Sequence, residues 1–220
     1  CQPTPRRCLV TAGPTYEAID PVRFIGNHST GKMGFALAAE AAQQGAEVVL
    51  ITGPVQLHIQ HPNITRIDVV SAQQMFEAAM QEFPSCDAAI LSAAVADFTP
   101  TVVANKKIKE KQSSLTIELT PTPDIAMHIG AIKQPHQVVC GFALETHNAL
   151  EHAQAKLSKK NFDCIVLNSL TDQGAGFGYD TNKITIIDVT GKTVEYELKK
   201  KTEVAKDILL ILATLIQTKN

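Results

Sequence analysis

Short, β-branched apolar runs alternate with longer amphipathic stretches along this chain, and that alternation limits its fold more than any other feature. Residues 8–11 (CLVT), 48–52 (VVLIT), 65–70 (TRIDVV), 88–93 (AAILSA), 115–119 (LTIEL), 137–143 (QVVCGFA) and 164–168 (CIVLN) read as strands. Helical patterns fall between them at 31–44, from 71 to about 83, from near 123 with Thr122 as its cap, and between the last two strands. Gly45 supplies a stop for the first helix, and Ser71 opens a capping-box spacing for the second. Strands that are apolar on both faces and separated by helices predict an α/β fold with a mostly parallel sheet covered on both sides. Ligands then belong at the carboxyl ends of the strands. Near the end the pattern changes: runs at 184–188 and 193–197 flank Val-Thr-Gly-Lys and predict a hairpin over about 183–198, followed by a final helix over about 202–217. No repeat or low-complexity linker interrupts the 220 residues, which read as one domain.

Two segments lack regular pattern and are rich in polar groups. Residues 13–30 follow the first strand, and residues 97–114 contain the basic run NKKIKEK. A connection of that length inside a compact domain reads as a flexible lid, over about 98–114, or as a solvated loop.

Within the first segment and its exit lies GNHSTGKM, residues 26–33, one residue short of the phosphate-binding pattern G-x-x-x-x-G-K-[ST]. Met33 cannot hold a metal ion as Ser or Thr does in a triphosphatase loop, and a long segment separates the octet from the first strand. A dinucleotide fingerprint is missing too, because no G-x-G-x-x-G follows that strand and the second strand ends in Thr52-Gly53 without an acid. What remains is an anion-binding device or a packing turn. Gly26, Ser29, Thr30, Gly31 and Gly34 can bring backbone N–H groups and hydroxyls to a helix N-terminus.

Bulk properties narrow the class further. A net charge of -2 gives no general attraction to nucleic acid or to an anionic membrane, so any anion site is local. Five dispersed cysteines with no C-x-x-C argue against a disulfide framework or a zinc site and fit a reducing cytoplasm. No apolar run approaches the roughly 20 residues of a membrane span. The start at Cys1 without Met points to a piece of a longer polypeptide, with tag removal or processing as alternatives.

The motifs taken together are more specific than any one of them. VTAGPT (10–15), DPVRFI (20–25), NHSTGKMG (27–34), AAVADF (93–98) and KIK (107–109) closely resemble the phosphopantothenoylcysteine synthetase family of coenzyme A biosynthesis. The resemblance continues through TPDI (122–125), GFALET (141–146), KKN (159–161) and GF (176–177), in order and over nearly the whole chain. It implies a Rossmann-like three-layer fold and a ligase. In that ligase 4'-phosphopantothenate, L-cysteine and CTP give 4'-phosphopantothenoylcysteine, CMP and pyrophosphate through an acyl-cytidylate. The resemblance further implies Mg2+, a homodimer with sites near the subunit interface, and in many bacteria fusion to an N-terminal flavin-dependent decarboxylase. No flavin is expected in this segment.

Residue roles carry over by the same resemblance. Lys107 matches a lysine that neutralises the triphosphate and the first transition state, and Asn27 an asparagine associated with the acyl-cytidylate step. Arg23 matches an arginine that reaches a ligand phosphate or carboxylate, with fixing the loop as its alternative. Ala93 ends a strand where a small side chain admits the nucleotide. Asp97, Lys107, the turn Thr120, Pro121, Thr122 and Pro123, Phe142, Lys156 and Lys160 surround CTP in this reading. Asp97 serves ribose hydroxyls or metal, and Phe142 packs on the base. Lys156 and Lys160 lie four apart on one helix face, so both can address one anion. Gly13, Gly26, His28, Ser29, Thr30 and Gly31 form the phosphate or substrate loop. Phe24 and Phe98 stand where some relatives carry Tyr, and Thr122 where some carry Asn. Lys106, Lys109 and Lys111 read as solvated. Two other readings remain: a general nucleotide hydrolase, and a catalytically silent nucleotide-binding module on the same fold.

Overall fold

The computed structural model describes residues 5–109, 114–145, 147–169 and 173–219. The chain opens with β1 (Arg7–Ala12), then a small antiparallel hairpin, β2 (Tyr16–Ala18) and β3 (Phe24–Gly26), before α1 (Lys32–Gln43). Next come β4 (Glu47–Thr52), β5 (Ile64–Asp68), α2 (Ala72–Glu82) and β6 (Ala88–Leu91). A second hairpin, β7 (Phe98–Pro100) with β8 (Leu119–Pro121), precedes α3 (Ile125–Ile132). The remaining elements are β9 (Val138–Glu145), α4 (Ala149–Lys159), β10 (Cys164–Ser169), β11 (Thr181–Asn182), β12 (Ile184–Asp188), β13 (Thr193–Glu195), β14 (Lys199–Lys200) and α5 (Lys201–Lys219).

Eight strands form one sheet in the order β13-β12-β10-β9-β6-β1-β4-β5. The six from β10 to β5 are parallel, and β12 and β13 extend that sheet as the antiparallel hairpin expected near the C-terminus. Period-two alternation divides the strand residues between two cores. Cys8, Val10, Leu50, Ile90 and Val166 face α1 and α5, while Leu9, Val49, Ala89, Val139 and Ile165 face α2, α3 and α4. This is the three-layer Rossmann-like α/β architecture that the sequence predicts. β4 leaves β1 on one side and β6 lies on the other, so the strand order reverses between β1 and β6, the place where open α/β sheets bind ligands.

Several boundaries differ from the sequence reading, each for a local reason. Of the strand expected over 115–119 only Leu119 lies in β8, which runs on through Pro121 as a partner for β7; the Glu118 carbonyl accepts one bond from the Thr101 N–H and Leu115 stays exposed. Asp124, not Thr122, caps α3: its carboxylate accepts from the Met127 N–H at 3.0 Å, while the Thr122 hydroxyl donates to the Ala96 carbonyl at 2.6 Å. β6 stops at Leu91, so Ala93 lies just beyond the strand, where its neighbour Ala94 bridges to Pro14. The capping box at Ser71 forms as read, with Ser71 and Gln74 exchanging side-chain and backbone hydrogen bonds. Of the expected lid, residues 98–100 are strand; Glu110 and Lys111 lie outside the described residues, as do Cys1 and Thr146. Cys8, Cys86, Cys140 and Cys164 are buried free thiols. No helix among the described residues is long and apolar enough to cross a membrane.

Candidate active site

Two recesses open side by side at the carboxyl ends of the central strands, and Phe142 on β9 lines both. The larger, about 400 Å³, has Ala93, Val95, Asp97, the turn Pro121, Thr122 and Pro123, Phe142 and two lysines around it. Eight of the residues expected to surround a nucleotide or to admit it therefore share one pocket: Ala93, Asp97, Pro121, Thr122, Pro123, Phe142, Lys156 and Lys160. Thr120 is instead paired with Thr99 in the hairpin and does not line it.

The two lysines are held differently. Lys156 Nζ donates to the Phe142 carbonyl at 2.8 Å, and burial, followed by the charge of Lys160, lowers its pKa against the pull of Glu145, Asp124 and Asp97. Lys160 Nζ pairs with Asp124 at 3.1 Å. Burial raises the Asp124 pKa, but the Met127 N–H and Lys160 together outweigh it, so the carboxyl is held below its ordinary value. The end of α4 thus presents two cations to a cavity of mixed polar and apolar lining, and one carboxylate both caps α3 and orients Lys160.

The smaller recess, about 40 Å³, lies over the N-terminus of α1 and is lined by Gly13, Ser29, Thr30, Gly31 and Lys201 among others. Gly31 is the N-cap, at φ 81°, and no side chain caps the helix. The first N–H groups of α1 are thus left for another partner. A Cβ on Gly34 would stand 2.4 Å from Ala12 Cβ, so glycine there lets α1 close onto β1. Two lysines that sequence reading passed over flank this seat. Lys32 bonds Gly178 O at 2.9 Å and Asp180 at 2.8 Å; buried Lys201 bonds Gly176 O at 2.9 Å. Burial pushes the Lys201 pKa down to about 8, with Lys32 adding to the shift and Asp180 opposing it. Lys32 occupies the lysine position of the near-miss motif, which was its available signal; Lys201 sits in a Lys-Lys-Lys run that looks solvated.

Asn27 lines neither recess; its Nδ2 donates to the Ala94 carbonyl at 2.7 Å, which ties the amide to the loop that follows β6. Arg23 is committed to Asp20 and to the Ile108 carbonyl in this conformation, the loop-fixing arrangement. Lys107 is exposed, and neither it nor Gly26 and His28 line either recess. Among the described residues no group of three or more His, Cys, Asp or Glu is gathered to hold a metal. Asp97, exposed at the mouth of the larger pocket, fits an ion that arrives on a polyphosphate, because Mg2+ commonly takes one or two carboxylates together with substrate phosphates.

The fold and the site's place define the class: a doubly wound α/β protein with a pocket of about 400 Å³ at the reversal of its parallel sheet, beside an uncapped helix N-terminus. Residues 4–215 match the DNA/pantothenate metabolism flavoprotein C-terminal domain, and the chain belongs to that family. It is 45% identical over 96% of its length to the coenzyme A biosynthesis bifunctional protein CoaBC of Bacillus subtilis, covering 52% of that protein. It is 53% identical over 96% of its length to a cysteine/cysteine sulfinic acid decarboxylase of an unknown prokaryotic organism, covering 59% of it. The chain thus spans little more than half the length of these relatives. A crystal structure of the C-terminal domain of a CoaBC protein superposes with a TM-score of 0.83 at 40% identity, over 97% of this chain and 96% of that one.

Proposed function

We propose that this chain is a phosphopantothenate–cysteine ligase unit of coenzyme A biosynthesis, using CTP to activate 4'-phosphopantothenate. The observation that carries the reading is convergence: Ala93, Asp97, Phe142, Lys156, Lys160 and the turn at 121–123, far apart in sequence, enclose one pocket beside an uncapped helix N-terminus. The CoaBC relatives support the biosynthetic context. The decarboxylase named for the other relative belongs to that whole protein, of which this chain covers 59%.

In this reading the larger pocket takes the cytidine, with Phe142 against the base and Asp97 at the ribose or at a triphosphate-borne Mg2+, which supplies neutralising charge. Lys156 and Lys160 face the anionic part of the nucleotide. The seat formed by Gly13 and residues 29–31 takes phosphate of the acyl substrate. The substrate carboxylate attacks the α-phosphorus and pyrophosphate leaves; the cysteine amine then attacks the acyl carbon and CMP leaves. A carboxylate meeting a polyphosphate is opposed by charge, so the protein's task is to place cations and donors in advance. Lys107 neutralises the triphosphate. The Asn27 amide donates to the acyl or phosphoryl oxygen without adding a competing acid. Arg23 would meet a ligand through Nη1, its Nε and Nη2 staying with Asp20 and the Ile108 carbonyl. Two copies fit the surface: Val22 and Phe24 on one hairpin and Phe98, Val102, Leu115 and Leu119 around the other are exposed apolar groups that a homodimer would cover. Fusion to a flavin-dependent decarboxylase half fits the length of the CoaBC relatives.

The test is turnover with each substrate omitted in turn. Pyrophosphate release should need CTP, Mg2+ and 4'-phosphopantothenate but not cysteine, whereas CMP release should need all four. Phosphate release from CTP alone would favour a hydrolase, and nucleotide binding without turnover a silent module.

A further inference from the structure

Residues 104–108 are tied at both ends to the turn that leads into β3. The Ala104 N–H donates to the Ile19 carbonyl at 3.0 Å. Four residues on, Ile108 is held on both sides of its peptide: its N–H donates to Asp20 Oδ2 at 3.1 Å, and its carbonyl accepts from Arg23 Nη2 at 2.9 Å. Asp20 itself is buried and saturated. Oδ1 accepts from the Val22 and Arg23 N–H groups at 2.9 and 2.8 Å, and Oδ2 accepts from Arg23 Nε and Nη2 at 3.1 and 2.5 Å as well as from Ile108. A carboxylate with this many donors and no exposed surface is an organising centre, since losing it strands several donors at once. Those donors hold its carboxyl well below the usual carboxylate range, the Arg23 contact contributing most.

What this centre organises is a pair of residues. The turn continues through β3 directly to Asn27, whose amide reaches Ala94, and the tethered segment carries Lys107 next to the doubly held Ile108. We infer that Asp20 is a positioning residue of the ligase: by holding Ile108 it fixes Lys107 relative to Asn27, so that both arms meet the substrate as one unit. It touches no substrate itself. The inference rests on the proposed role of Lys107, and it makes residues 104–108 a strut that carries the lysine rather than a hinge that swings it.

Asp20→Asn separates this from general stabilisation. An amide in either orientation puts its NH2 against donors, Arg23 and Ile108 in one case and the Val22 and Arg23 N–H groups in the other. Ile108→Pro is the second variant, deleting the N–H while leaving the Asp20–Arg23 turn intact and serving if Asp20→Asn does not fold. Both should show faster amide exchange at 104–109 with an unchanged far-ultraviolet spectrum. Both should slow cysteine-independent pyrophosphate release by up to about a hundredfold, the cost of a reacting group misplaced by about 1 Å. The KM for CTP should rise and the KM for cysteine should not. In a Lys107→Gln background, Asp20→Asn should add no further loss. Unchanged exchange would overturn the tether, and full activity despite faster exchange, or losses that multiply in the double variant, would overturn the positioning. A fully active Lys107→Gln single variant would sink the role of Lys107 and the positioning with it, while exchange would still report whether the tether exists.

Discussion

The two recesses at the sheet's switch point are built on opposite principles. The larger is made by side chains brought in from β9, α3, α4 and the 121–123 turn, with an apolar wall and lysines fixed by Phe142 O and Asp124. The smaller lies over Gly13, residues 29–34 and the bare end of α1, where glycines leave backbone open, with Phe142, Leu144, Asn168 and Phe177 as its other wall and Lys32 and Lys201 as flanking charge. A pocket of about 400 Å³ can enclose a nucleoside, and one of about 40 Å³ only a small group such as a phosphate. The difference shows how one edge of a sheet can carry two recesses of different make: side-chain variety shapes the first, and glycine makes room for the second.

Closing the backbone seat should have the largest effect. Gly34→Val must push Ala12 and Ser92 aside, since even a Cβ stands 2.4 Å and 2.8 Å from them. Overpacking of this kind should cost about 3 kcal/mol in denaturant unfolding. Binding of CMP, which needs only the larger pocket, should survive in calorimetry; its loss would break the division into two sites. Lys160→Met is the converse. It removes the Asp124 pair and should weaken CMP binding by about tenfold, a charged hydrogen bond's share, with the unfolding midpoint nearly unchanged.

The seat's buried charge makes a pH prediction. Lys201 titrates near 8 when folded against an ordinary 10.5. Between those values the unfolded chain binds a proton that the folded chain has released, so this group's contribution to stability rises with pH across that window. Urea midpoints should show wild type gaining on Lys201→Met as pH climbs through 8; a constant gap would show that Lys201 is not buried as a charge. The smallest effect belongs to a site remote from both recesses. Ser71→Ala breaks the α2 capping box and should cost about 1 kcal/mol, with CMP affinity unchanged.

The side-chain pocket was more legible in the sequence than the backbone seat's charges. Strand and helix periodicity located the sheet, and the family motifs carried Asp97, Phe142, Lys156 and Lys160 to one cavity. The hairpin β7–β8 was obscured because a three-residue strand leaves almost no periodic signal and long-range pairing defines it. Thr122 looked like a cap because its residue type suits that position, yet Asp124 two residues later takes the role and the Thr122 hydroxyl finds Ala96. Lys201 was illegible for a different reason: lysine runs are ordinarily solvated, and only the packing of α5 against the 174–180 loop buries this one. The guanidinium of Arg23 serves Asp20 and Ile108 in this conformation, the second a long-range contact that no local motif could have announced.

Activation of the substrate carboxylate at the α-phosphorus of CTP can be followed by isotope, with 4'-phosphopantothenate labelled with oxygen-18 in the carboxylate, CTP, Mg2+ and cysteine, and mass analysis of the nucleotide product. Activation through an acyl-cytidylate predicts that each turnover transfers one labelled oxygen to CMP and leaves one in the new amide. Labelled inorganic phosphate with CDP, or product formed with unlabelled CMP, would contradict the account.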